Sequence, residues 1–172
     1  MSDVSSLRVI AHPVRLRMLS ILTGSAMSAA DLARELGISH ANASYHLRQL
    51  AEAGEVVEAG ERTIRGGVAK LYRYPDDPDD QPPSGPDAST EDRLLYVRAV
   101  GTELERRTLA RQPGRPGLVA DLEGWVDPDT WERALGLLKE ASRLLHGANQ
   151  PPHSPGTDHV SFTAWAFQMD QA

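Results

Sequence analysis

The sequence predicts a mainly α-helical, α+β fold in which a small helical unit is followed by one β-hairpin and then by further helices. Three observations predict this fold class. Apolar residues recur at helical spacing as far as about residue 53, helix-start and helix-stop residues divide that stretch, and extended runs flank a Gly-Gly pair directly after it. With 172 residues the chain can form one ordinary domain, or a small domain with a helical appendage.

The first two predicted helices are separated by a proline. Leu7 and Ile10 indicate a short opening helix that stops before Pro13. Proline suits a first helical position because its missing N–H would have no helical partner there. We therefore expect a second helix from residue 13 to about residue 23, which Gly24 ends.

The third predicted helix has a complete start motif. Ser28 is a good N-cap, and Asp31 is placed to complete a capping box with it. This helix should cover residues 29–36 and end at a glycine. Ser39 then caps a fourth helix, from residue 40 to about residue 53.

Extended residues follow the fourth helix. Val56 and Val57 begin a strand, residues 65–68 (Arg-Gly-Gly-Val) have the composition of a tight hairpin turn, and the returning strand runs to Pro75. Two helices joined by a short glycine-containing turn form a helix-turn-helix. With a hairpin directly after it, the arrangement predicted for residues 1–75 is a winged helix-turn-helix.

The fourth helix is predicted to have one apolar face and one polar face. At 100° per residue, Ala43, Leu47 and Leu50 point inward. The opposite face offers hydrogen-bond donors, acceptors and small side chains, which suit close approach to base edges in the major groove of DNA. The candidate base-reading residues are His40, Ala41, Ser44 and Tyr45. Arg48 is a candidate phosphate or guanine contact, Asn42 lies at the flank, and His46 is expected to be a hydrogen-bonded structural histidine.

The hairpin is predicted to supply positive charge. Arg62, Arg65 and Lys70 cluster around the glycine pair, where they can reach DNA phosphates or the minor groove. A polar helix face or a basic hairpin alone is more often a solvated surface, and the ordered combination of both favours double-stranded DNA as the partner. The charge distribution agrees with this, because residues 1–75 carry a net charge of +2 and residues 76–172 a net charge of −8, within a total of −6.

Residues 8–74 resemble the ArsR-like family of bacterial winged-helix regulators. The matching stretches are residues 11–19 (AHPVRLRML), 31–39 (DLARELGIS), 44–50 (SYHLRQL) and 53–57 (AGEVV). The resemblance implies a homodimer, usually a repressor, that binds an inverted repeat through the fourth helix and the wing. Many such repressors sense metals through cysteine pairs in the third helix or through histidines and carboxylates on a C-terminal helix. This chain has no cysteine and no histidine within residues 91–111, so we expect neither kind of metal site.

The second half is predicted to hold an acidic, proline-rich, disordered linker over residues 76–90 and a helical region over residues 91–172. A helix over residues 91–111 carries an apolar stripe, for which contact with a second subunit is favoured over packing within its own subunit. The stripe consists of Leu94, Val97, Val100 and Leu104.

Two more elements are predicted near the C-terminus. One is a helix over residues 128–146, which Gly147 ends, and the other is a strand over residues 160–169. The chain's tryptophans and phenylalanines all lie in this half. They either line a pocket for an unknown small-molecule effector or pack as an ordinary core, and the second interpretation is favoured.

Other classes of function are disfavoured. The sequence contains no nucleophile–base arrangement, phosphate-binding glycine loop or metal-ligand cluster, so we expect no enzyme activity and no cofactor. It has no secretion signal and no apolar run of membrane-spanning length, and we expect a cytoplasmic protein with no membrane partner. The main alternative to a DNA-binding regulator is a winged-helix module that binds another protein.

Overall fold

A computed structural model describes residues 6–64, 66–75 and 88–170 of the chain. These residues form helices and one hairpin in the predicted order, and the winged-helix fold class is confirmed. The elements are α1 (Ser6–Ile10), α2 (Pro13–Leu22), α3 (Ala29–Leu36), α4 (His40–Glu52), β1 (Val57–Ile64), β2 (Gly67–Arg73), α5 (Thr90–Leu109) and α6 (Pro128–Ala148).

The core lies between α2, α3 and α4. The imidazole Nδ1 of His12 accepts the N–H of Val14 at 3.1 Å and caps α2, with Pro13 as the first helical residue. Burial of the apolar stripes of the three helices against one another stabilises the unit. The buried core residues are Met18, Leu22, Leu32, Ala33, Leu36, Ala43, Leu47, Leu50 and Val56.

The turn between α3 and α4 is set by caps at both of its ends. Ser28 and Asp31 form the predicted capping box. Gly37 adopts the left-handed conformation (φ 65°) that ends α3 at low cost, because it has no Cβ. The hydroxyl of Ser39 accepts the N–H of Asn42 and starts α4. These local interactions place α4 across the core as the second helix of a helix-turn-helix.

The wing is an antiparallel hairpin attached to the helices by backbone hydrogen bonds. Ile64 pairs with Gly67, so the hairpin closes one residue earlier than the sequence predicts. Met27 and Tyr72 exchange two backbone hydrogen bonds of 2.9 Å, which join the segment before α3 to β2. This bridge holds the wing beside the start of α3.

Helix α5 packs against α1 and α2 through a partly polar face. Arg8 of α1 forms a 3.0 Å ion pair with Asp92, and Glu103 lies buried beside Arg106 and Arg107. The opposite face of α5 is exposed. It presents three members of the predicted stripe, Leu94, Val97 and Leu104, whereas Val100 is half-buried.

The predicted C-terminal strand is wrong for the chain as described. Residues 149–170 form no helix or strand, and β1 and β2 are the two strands of the described residues. A strand exists through hydrogen bonds to a neighbouring strand, and residues 160–169 form no backbone–backbone hydrogen bond with any other described residue. Two helix boundaries also differ, since α5 begins at Thr90 with Ser89 as its cap and α6 continues through Gly147. Most of the predicted linker, residues 76–87, lies outside the described residues.

Replacing the capping serine tests how strongly local signals hold the helix-turn-helix. Ser28→Ala removes the acceptor for the Asp31 N–H and one donor to the Asp31 carboxylate. We expect the free energy of unfolding in urea to fall by about 1 kcal/mol. Ser20→Ala is the matched control, because the exposed Ser20 hydroxyl bonds only to a carbonyl of its own helix. An equal effect of the two substitutions would contradict the role given to the cap.

Candidate DNA-binding surface

Helix α4 presents the predicted polar face to solvent. Ala43, Leu47 and Leu50 are buried, so the helix is held by one side. The solvent-facing side of α4 begins at His40. Ser44 lies on this side and is half-buried. The fully exposed members of the candidate set on α4 are His40, Ala41, Asn42, Tyr45 and Arg48.

A groove of about 390 Å³ runs between α4, the start of α3 and the wing. Three predicted residues of α4, His40, Ser44 and Arg48, line it together with Lys70 of β2. The remaining predicted residues of α4 lie outside the groove lining, further round the exposed face. The groove therefore brings three candidate residues of α4 close to one cation of the wing.

Two of the predicted wing cations already have acidic partners. The Lys70 Nζ lies 2.8 Å from Glu58 Oε1, and this hydrogen bond raises the pKa of Lys70. Arg62 lies 2.6 Å from Asp31. By contrast, Arg48 has no ion pair with any described residue. Arg65, the remaining predicted contact, lies outside the described residues.

The helix-turn-helix is the part of the chain that known proteins resemble. Residues 10–57 match the family model described as a helix-turn-helix domain. These residues form a helix-turn-helix domain. The matched residues contain α2, α3 and α4 in full, together with the first residue of the wing.

Solved structures also match, whereas no curated protein does. One of them is described as "Crystal structure of Possible transcriptional regulator for arsenical resistance". It is 25% identical, and the match covers 63% of this chain and 98% of that chain with a TM-score of 0.36.

His46 lies inside the helix-turn-helix domain, behind the exposed face of α4. It is 6% exposed, as expected of a structural histidine, but its Nδ1 has no hydrogen-bond partner among the described residues, so the predicted hydrogen bond is missing at that atom. Its ring lies 4.4 Å from that of His12 and 5.2 Å from that of Tyr45. Burial, followed by the charges of His12 and Arg15, lowers the pKa of His46 to about 4. His46 is therefore a neutral, packed imidazole whose ring contacts the ring of Tyr45.

Sequence reasoning missed two contributions to this surface. Ala29 and Ala30 at the start of α3 line the groove, and their small side chains leave its floor open. The capping box located this helix start, but its distance from α4 depends on tertiary packing. Arg15 of α2 is half-buried, and its Nε has no hydrogen-bond partner among the described residues.

The described residues offer little to other kinds of site. They contain no group of three or more histidines, aspartates or glutamates arranged to hold a metal ion. Within the same ranges, no helix is both long enough and apolar enough to cross a membrane. The groove along α4 is therefore the candidate functional surface.

Acid should destabilise the helix-turn-helix domain through His46. Its folded pKa of about 4 lies below the ordinary value of 6.5. The unfolded chain therefore binds the proton more tightly, and the free energy of unfolding falls as the pH drops below 6.5. We expect a loss of about 2 kcal/mol between about pH 7.5 and about pH 5, and His46→Gln should remove most of this dependence.

Urea unfolding of the wild type and the variant across this pH range measures the effect. Burial raises the pKa of Glu55, which acts in the opposite direction, so the difference between the two proteins is the informative quantity. Parallel pH profiles for the two proteins would contradict the assignment to His46.

Proposed function

We propose that this protein is a sequence-specific, DNA-binding transcriptional regulator that acts as a homodimeric repressor on an inverted-repeat operator. The observation that carries the proposal is the groove in which His40, Ser44 and Arg48 of α4 meet Lys70 of the wing. A helix with donors, acceptors and small residues on one face, beside a basic hairpin, has the chemistry needed to read bases and contact phosphates together.

In this proposal α4 enters the major groove with its N-terminal half against the bases. His40 and Ser44 offer hydrogen bonds, and the exposed Ala41 allows close approach. Tyr45 supplies an amphipathic ring and Asn42 lies at the flank of the same face. Arg48 is one turn beyond Ser44, where it reaches either a guanine edge or a phosphate.

When the wing contacts the DNA backbone, its internal ion pairs must break or be shared with phosphates. Lys70 must exchange Glu58 for a phosphate, and Arg62 must exchange or share Asp31. Arg65, next to the glycine pair in the sequence, is a third proposed contact. Each exchange releases counterions from the DNA, so the wing contributes a salt-dependent and sequence-independent part of the affinity.

The dimer is proposed to form through the exposed face of α5. Leu94, Val97 and Leu104 are 45–51% exposed, so the packing of the described chain leaves them without cover. Their helical spacing gives one apolar stripe, which a second α5 related by a two-fold axis can cover. Such symmetry places two copies of α4 on the two halves of an inverted repeat.

Selection of bound sequences from a random DNA library tests the function directly. The full-length protein near physiological salt should enrich one inverted repeat with half-sites about one helical turn apart. If the folded protein enriches no sequence when no effector is present, the proposal is overturned. This result would favour the alternative, in which the winged helix binds a protein.

Substitutions of two opposite charges test the groove. Arg48→Ala should weaken binding to the selected operator. A phosphate contact predicts a salt slope lower by about 1, and a guanine contact predicts relaxed preference at one base pair. Glu58→Gln frees Lys70 and should strengthen binding about two- to fivefold at low salt, because exposed ion pairs are weak. Fluorescence anisotropy over a salt series measures both effects.

Arg133→Ala is the matched control, because Arg133 is an exposed cation on α6, far along the chain from the groove. If it weakens binding as much as Arg48→Ala does, the protein's general charge and not the groove governs the affinity.

A charge on the α5 stripe should separate the subunits. Leu94→Asp buries an unpaired carboxylate in the proposed interface, and we expect a monomer in analytical ultracentrifugation at concentrations where the wild type is a dimer. Leu109→Asp makes the same change at an exposed leucine outside the stripe and should leave the dimer intact. A dimer that survives Leu94→Asp would place the interface elsewhere.

A further inference from the structure

Two exposed segments of the second half belong to no helix or strand and form no backbone–backbone hydrogen bond with another described residue. The first arm is residues 118–126 and the second arm is residues 160–169. In the first arm every second residue is apolar or glycine, which is the alternation of a strand with one buried face. Its side chains are nevertheless in solvent, with Leu118 89%, Leu122 81% and Trp125 83% exposed.

The backbone of both arms also lacks partners. Neither arm forms a backbone–backbone hydrogen bond with any other described residue. Extended chains with free N–H and C=O groups and apolar side chains pair readily with another strand. Both arms therefore carry what a strand needs except a neighbour.

We propose that the two arms are strands completed by a second copy of this chain, in which the first arm of each copy pairs with the second arm of the other. This inference rests on the homodimer proposed above and adds a second contact region to it. The partner is a second copy because each chain carries both halves of the required pair.

The exposed area is sufficient for a stable interface. The aromatic side chains of the arms, Trp125, Phe162, Trp165 and Phe167, are 38–83% exposed. At roughly 200 Å² each, they alone present about 450 Å² per chain. A standard interface buries about 800 Å² per partner, and the aliphatic residues of the arms supply more.

Charge favours pairing of the first arm with the second arm over pairing of the first arm with another first arm. If the first arm paired with itself in antiparallel fashion about Leu122, Asp121 would face Glu123 of the other copy, and like charges placed directly opposite destabilise a sheet. Pairing with the second arm avoids this, because residues 160–169 contain no charged side chain.

The arms are also held next to the proposed dimer helix. Trp165 of the second arm stacks on Tyr96 of α5 with ring centroids 5.5 Å apart. Arg115, just before the first arm, pairs with Asp158, just before the second, at 3.2 Å. The two arms thus start close to each other, and the second arm contacts α5 at Tyr96.

Mixing single-cysteine variants tests the exchange, because the natural chain has no cysteine. Ala120→Cys and Ala164→Cys each place one thiol in an arm at a small, exposed residue. Opposite residues of paired strands lie about 5 Å apart between Cβ atoms, and each residue of register shift adds about 3.3 Å along the strand. A series of flexible bis-maleimides of increasing length therefore covers the registers in which the two arms overlap. We expect the mixture of the two variants to give at least tenfold more cross-linked dimer than a mixture of Ala120→Cys with Ala134→Cys, whose thiol lies on α6.

The other outcomes separate this inference from the proposed function. If a Leu94→Cys variant cross-links to itself while the arm mixture does not, the α5 dimer stands and the arm exchange is overturned. If the arm mixture does not cross-link but the double variant Ala120→Cys/Ala164→Cys cross-links within one chain, the arms pair in cis and the inference fails. Selection of DNA by the same variants reports on the proposed function independently.

A proline provides a second measurement. Thr163→Pro removes one ladder N–H from the middle of the second arm, whereas Thr163→Ala keeps it. We expect the proline variant to raise the dimer dissociation constant at least tenfold over the alanine variant. Equal constants for the two variants would overturn the pairing of the second arm.

Discussion

The carboxylate of Asp31 is the point on which the geometry of the groove depends. It accepts the backbone N–H and the hydroxyl of Ser28 at 3.1 and 2.7 Å and pairs with Arg62 of the wing at 2.6 Å. Burial acts to raise the pKa of Asp31, but the hydrogen bonds from Ser28 and Arg62 outweigh it, and the pKa lies below its ordinary value. With the Met27–Tyr72 bridge directly before it, one short segment sets both the start of α3 and the position of the wing.

This arrangement also shapes the electrostatics of the proposed DNA surface. Arg62 and Lys70 of the wing are paired with Asp31 and Glu58, and the second half of the chain is acidic. Non-specific affinity for DNA comes mainly from cations that release counterions. A protein whose wing must exchange internal ion pairs for phosphates gains less from such contacts. In the proposed function, the base-reading face of α4 therefore contributes a larger share of the binding.

The second half of the chain has a different physical character from the first. The helix-turn-helix domain encloses an apolar core, whereas α6 contains no buried residue and the two arms expose tryptophan and phenylalanine side chains. Apolar surface of this extent is costly in water, and soluble monomers rarely present it. The free stripe of α5 and the unpaired arms lie on connected parts of the chain, and a second copy of the chain would satisfy both.

The sequence by itself determined the features that arise from neighbours along the chain. Helix α3, its capping box and the inward face of α4 follow from local hydrogen bonds and from the 3.6-residue period, so they were predicted to the residue. Tertiary structure decided what depends on distant partners. The ion pairs of Arg62 and Lys70, the unpaired Nδ1 of His46 and the groove beside Ala29 arise from segments that packing brings together. Residues 160–169 have the alternation of a strand, but a strand forms only where a second strand supplies hydrogen bonds. The sequence of the segment does not determine whether such a strand lies beside it.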